Sequence, residues 1–99
     1  MKHSISLCST VVASKDQACA EVNDGLVILN LKNGVYCGLD RVGTRIWKLI
    51  QTPTTVLRVR DSLLDEYQVE PGRCEADLLA LLQKLADQQL VQIPADSGA

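Results

Sequence analysis

Four cysteines, one histidine and a scatter of carboxylates are the residues of this 99-residue chain that could do chemistry. Cys8, Cys19, Cys37 and Cys74 lie 11, 18 and 37 residues apart, with no C-x-x-C pair. A structural zinc site takes four nitrogen or sulfur ligands at close spacing, and His3 is the single imidazole. The thiols are therefore expected to be buried or half-buried side chains, with no metal and no cofactor. Two disulfides are arithmetically possible, but nothing else suggests secretion, so free thiols in the reducing cytoplasm are expected. Nucleophilic catalysis needs a positioned base, and His3 stands alone near the start. Asp61, Asp65 and Glu66 read as the solvated face of a helix rather than an acid–base pair. Gly34, Gly38 and Gly43 are spaced as turn and strand residues, not as a phosphate loop. The expectation is a protein that is not an enzyme.

Composition narrows the classes further. One domain is expected, large enough for a single modest core of Leu, Val and Ile, since the aromatics are only Trp47, Tyr36 and Tyr67. Ten basic residues stand against twelve acidic ones, a net charge of −2, which argues against a phosphate-binding groove. No apolar run approaches membrane-spanning length. Ser6, Ser9 and Thr10 interrupt the apolar residues near the start, which are too polar for a signal sequence.

The elements that would have to position any site follow from periodicity. Residues 1–14 read as an arm or an extra strand, 15–39 as a β-meander, 40–93 as a three-helix part with a short final strand, and 94–99 as a frayed tail. Asn33-Gly34 between two apolar, β-branched runs is a strong hairpin signal. Taking Asp24-Gly25 and Asn33-Gly34 as two-residue turns places Val22 opposite Val27 and Leu31 opposite Tyr36. It gathers Ala18, Ala20, Val22, Val27, Leu29, Leu31 and Tyr36 on one face, the expected core face. The other face is mixed: Glu21, Asn30 and Lys32 with Ile28, Val35, Cys37 and Leu39. From Asp40 the period becomes helical, with Val42, Ile46, Leu49 and Ile50 at helix spacing. Thr54 or Thr55 should cap a second helix that buries Val56, Val59, Leu63 and Tyr67. A third helix is expected over 73–89, with Pro71 suited to its first turn.

Two features of this frame point to binding. Val35-Tyr36-Cys37-Gly38-Leu39 forms one edge of the meander and carries no Lys, Pro or inward charge to blunt it. In the third helix, Leu78, Leu79, Leu81, Leu82, Leu85 and Ala86 cover an arc of about 160°, against about 100° for a helix burying one stripe. Either the helix lies between two layers, or the stripe of Leu79, Leu82 and Ala86 lines an apolar groove. The helix–turn–helix order suggests a winged-helix-like topology, but Arg73 and Lys84 are offset by Glu75, Asp77 and Asp87, a poor recognition helix for DNA.

The run from Val27 to Trp47, with its hairpin followed by Gly38-Leu39-Asp40 and Ile46-Trp47, resembles the PqqD-like family. So does the later spacing of Thr55-Val56, Leu63, Glu66-Tyr67, Cys74, Asp77-Leu78, Leu82, Leu85 and Leu90-Val91. The resemblance covers roughly residues 18–93. It implies an α+β, winged-helix-like domain in which a three-stranded antiparallel sheet precedes three helices. It implies a recognition element for the leader segment of a ribosomally made precursor peptide, of the stand-alone kind found with lasso-peptide maturation enzymes. The leader would add as a strand along Val35, Tyr36, Cys37, Gly38 and Leu39. The groove wall would be Cys74, Asp77, Leu78, Leu81, Leu82 and Lys84-Leu85, with Arg73 or Lys84 pairing an acidic leader residue. The implied partners are the precursor peptide and a separate modifying enzyme such as a leader peptidase, a cyclase or a radical enzyme, not nucleic acid or a membrane. The alternatives are a winged-helix regulator that binds nucleic acid, and a structural module that uses the free edge to form a homodimer.

Overall fold

A computed structural model of the chain describes residues 5–94 and shows an α+β arrangement of three helices and two small antiparallel sheets. In chain order the elements are β1 (Thr10–Ala13), β2 (Gln17–Val22), β3 (Gly25–Asn30), β4 (Tyr36–Leu39), α1 (Arg41–Leu49), β5 (Thr54–Thr55), α2 (Val56–Glu66), α3 (Pro71–Asp87) and β6 (Val91–Gln92). β2, β3 and β4 form a meander, and β1 lies between β5 and β6 in a second sheet. The N-terminal arm thus pairs with the segments flanking the helices (Thr10 with Thr55, Val12 with Gln92) and not with β4. His3 and all of the expected frayed tail except Pro94 lie outside the described residues.

Both hairpin registers differ from the expected ones by two residues. Val22 pairs with Gly25 across an Asn23-Asp24 loop in which Asn23 takes the positive φ of 53°. Gly25 is the first residue of β3 rather than a turn residue, and it must be glycine because a Cβ there would collide with the Leu39 carbonyl oxygen. In the second hairpin Leu29 pairs with Tyr36, and the Asn30 N–H donates to the Val35 carbonyl at 2.7 Å. The loop is therefore four residues long, 31–34, with only Gly34 at positive φ (74°), as suits a longer hairpin connection rather than a type I′ turn. A Gly25→Ala variant should lose at least about 1 kcal/mol in thermal denaturation, because the obstacle is backbone and cannot rotate away.

A two-residue shift keeps every side chain on its face, but the buried face is the opposite of the expected one. Leu26, Ile28, Cys37 and Leu39 point into the core with Asn30, while Leu29, Tyr36, Ala18, Ala20 and Val22 are exposed and Val27 is half-buried. The inner face packs under Ile46, Trp47 and Ile50 at α1 and its C-terminal end. Asn30 made that face look polar, yet it is satisfied inside: its Nδ2 donates to the Gln88 and Gln89 carbonyls at 2.9 and 3.3 Å, and its Oδ1 accepts from the Lys32 N–H.

α1 and α2 start where their capping residues predict, whereas α3 lies two residues before the expected 73–89, over Pro71–Asp87. Asp40 Oδ1 accepts from the Gly43 N–H at 2.8 Å, and Thr55 Oγ1 accepts from the Arg58 N–H at 3.3 Å. Pro71 opens α3 at a position where its missing N–H costs no helix bond. α2 buries Val56, Val59 and Leu63, and α3 buries Cys74, Leu78, Leu82 and Leu85. Cys37 and Cys74 are buried, whereas Cys8 and Cys19 are exposed rather than buried or half-buried as expected, and all four are free.

Candidate functional site

β4 is an edge strand of its sheet, and backbone alternation fixes which of its groups are free. The Asn30–Val35 bond and the Leu31 N–H to Asp16 carbonyl bond show that even-numbered β3 residues face β4 and odd-numbered ones face β2. Cys37 and Leu39, paired with Ile28 and Leu26, therefore bond inward. The N–H and C=O of Tyr36 and Gly38 point out along the open edge.

Beside this edge opens a cleft of about 570 Å³. Gly38, Leu39 and Asp40 form its strand side, and Val42, Gly43 and Ile46 of α1 its floor. Leu63, Tyr67 and Val69 close one end, and α3 supplies Arg73, Cys74, Asp77, Leu78 and Leu81. The lining is mostly apolar. Its charged residues are Arg73, Asp77 and Asp40. Asp40 is engaged as the α1 cap. Arg73 Nε stands 3.8 Å from Asp77 Oδ2, and both side chains are well exposed, so this pair is weak and available to a ligand. Burial pushes the Cys74 thiol pKa up, which keeps it a neutral, apolar part of the wall. The α1 and α2 walls are tied by Arg45, whose guanidinium donates to both Glu66 carboxylate oxygens and holds the Glu66 pKa below its usual value.

The structure brings together Gly38, Leu39, Arg73, Cys74, Asp77, Leu78 and Leu81 of the residues expected at the site. Tyr36 projects onto the outer sheet face, Cys37 points into the core, and Val35 follows the exposed 31–34 loop and pairs with Asn30. Leu82 and Leu85 are fully buried and line no part of the cleft, so the groove stripe is Leu78 and Leu81, not Leu79, Leu82 and Ala86. The cause is the rotation of α3, whose packing against α2 turns Leu82 into the core. Lys84 is likewise absent from the lining, which leaves Arg73 as the cation there. The contributions of Val42, Tyr67 and Val69 were missed. Val42 is read only as part of the first helix's apolar spacing, Tyr67 is assigned to the buried stripe of the second helix, and Val69, in the loop before α3, has no periodic signal at all. Val42 and Val69 are well exposed for apolar residues, at 40% and 47%.

Among the described residues, no cluster of three or more His, Cys, Asp or Glu could hold a metal ion, and no helix is long and apolar enough to cross a membrane. An apolar cleft beside unpaired backbone donors and acceptors is the geometry that takes an extended peptide.

No curated protein matches the chain. Among solved structures, the chain is similar to TbiB1 in complex with the TbiA(beta) leader peptide. The two share 35% identity and a TM-score of 0.75, over 86% of this chain and 99% of that one. A lasso peptide synthetase B1 complexed with its leader peptide has the same fold, at 23% identity and a TM-score of 0.66, over 83% and 96% of the two chains. The sequence profile of the family described as coenzyme PQQ synthesis protein D (PqqD) matches residues 25–91, which covers the β3–β4 hairpin, the cleft residues and all three helices. The chain belongs to the PqqD family.

Proposed function

We propose that this protein is a non-catalytic adaptor that captures the leader segment of a ribosomally made precursor peptide and presents it to a separate modifying enzyme. The observation that carries the reading is the outward N–H and C=O of Tyr36 and Gly38 at the lip of the β4–α3 cleft. The leader adds as a strand to β4, and its alternate apolar side chains enter the cleft against Leu39, Leu78 and Leu81. Backbone bonds supply register-tolerant affinity, and two or three cleft anchors supply specificity. Arg73 meets an acidic leader side chain at the rim. The complex between the 35% identical TbiB1 and a leader peptide supports the same class of ligand here. The enzyme served is a leader peptidase, a cyclase or a radical enzyme acting on the bound precursor.

A synthetic peptide of the TbiA(beta) leader sequence, followed by fluorescence anisotropy, tests this. The wild-type chain should bind it with an affinity of roughly −8 to −12 kcal/mol, micromolar to nanomolar. Tyr36→Pro removes an outward N–H that no β3 group uses, so the domain stays folded. Its affinity should fall at least about tenfold below that of Tyr36→Ala, since one backbone bond is lost and the ring obstructs the incoming strand. Equal affinities for Tyr36→Pro and Tyr36→Ala would sink the strand-addition model.

A further inference from the structure

The outer face of the meander is unusually apolar for a sheet face turned to water. A half-buried antiparallel sheet alternates apolar inward with polar outward, yet here the outward positions are Ala18, Ala20, Val22, Val27, Leu29 and Tyr36, with Gly38 beside them. Not one carries a charge. Tyr36, on β4, is the most exposed of them at 71%; its partner Leu29 is 37% exposed, Val22 on β2 is 47% exposed, and Val27, opposite Gly38, is half-buried. Gly38 leaves a gap in this face, because a Cβ built there would meet nothing within 4 Å. A second copy of the chain is a poor occupant. Three strands of about five residues give a footprint of roughly 230 Å², far below the ~800 Å² per partner of a stable interface.

We infer that the peptide captured at β4 is read on both faces of its strand: besides its cleft anchors, a large apolar side chain projects outward over bare Gly38 and against the Tyr36 ring. The inference rests on strand addition at β4, and it adds a subsite to that reading. The same two residues that present the free edge groups also form the outer surface next to them. An added strand necessarily sends every second side chain to that side, within cross-strand reach of Tyr36 and Gly38. A bulky neighbour covers the glycine gap, and an aromatic neighbour gains the ring contact as well. The ligand thus needs three consecutive apolar residues, the outer two in the cleft and the middle one outside.

The test uses the full chain and the TbiA(beta) leader peptide. Gly38→Lys and Gly38→Glu keep the backbone groups and the fold, because the new side chain enters open space. Both should weaken peptide binding about five- to tenfold, the size of a lost aromatic or apolar cross-strand pair. Tyr36→Ser should weaken it similarly, and Tyr36→Phe should restore it. Full affinity in both Gly38 variants overturns the subsite while leaving strand addition standing. Weakening by only one sign of charge overturns it too, since that is electrostatics rather than apolar contact. No binding by the wild-type chain overturns this inference and the leader-binding reading together, and Tyr36→Pro equal to Tyr36→Ala removes strand addition first.

Discussion

Leu82→Asp leaves the chain unfolded, whereas Leu81→Asp leaves it folded and empties its cleft. The two leucines are adjacent on α3 and differ only in where the helix turns them. Leu82 is 0% exposed and sits in the core with Leu78 and Leu85. An unpaired carboxylate there costs several kcal/mol, on top of about 2 kcal/mol of lost leucine burial. That is the scale of a small domain's whole stability, about 5–15 kcal/mol. Leu81 is half-buried and opens on the cleft. A carboxylate at that position stays hydrated in the free protein and should cost about 1 kcal/mol or less in stability. Against a peptide it must be desolvated, so affinity for the leader peptide should fall about a hundredfold, or 2.8 kcal/mol. Circular dichroism melts and anisotropy titrations separate the two outcomes. A folded Leu82→Asp chain, or a Leu81→Asp chain with unchanged affinity, contradicts the rotation of α3 described above.

The second large effect lies away from the cleft. Asn30→Asp should cost roughly 3 kcal/mol at neutral pH, because a carboxylate replaces the amide that donates to two carbonyls in a site only 1% exposed. The bonds lost join the β3–β4 hairpin to Gln88 and Gln89 after the end of α3. They hold the edge strand and the cleft wall in one frame. The new carboxyl is destabilised as an anion, so its folded-state pKa rises above the unfolded one. A group of that kind favours folding when protonated, and the deficit should shrink as pH falls through the carboxyl's titration range. Chemical denaturation at two pH values checks this. A deficit that does not change with pH would mean the site is wetter than the structure indicates, and one that grows with acid would mean the anion is stabilised there.

Much of the secondary structure was legible because it rests on local rules. Asp40, Thr55 and Pro71 each occupy a helix start for reasons of capping and φ, which need no tertiary information. The edge position of β4 was legible too, from the order of the meander, and its lack of protection from the absence of charge and proline along residues 35–39. The hairpin registers were not. A two-residue turn at Asp24-Gly25 satisfies the same alternation as the actual loop at Asn23-Asp24, and only the crowding of Gly25 against Leu39 separates them. Which sheet face is buried also escaped. Both faces are rich in apolar residues, and Asn30 argued for the wrong one until its three hydrogen-bond partners were in place.

Residue pattern alone points to an unprotected strand and to a helix with too many leucines, because alternation and helical period are properties of neighbouring residues. The tertiary structure decided which leucines see the cleft. One residue step, about 100° around α3, separates Leu81 from Leu82, and packing against α2 sets which of them faces the cleft. It also decided that the N-terminal arm joins β5 and β6 instead of capping β4, which leaves the Tyr36 and Gly38 backbone groups free for a ligand.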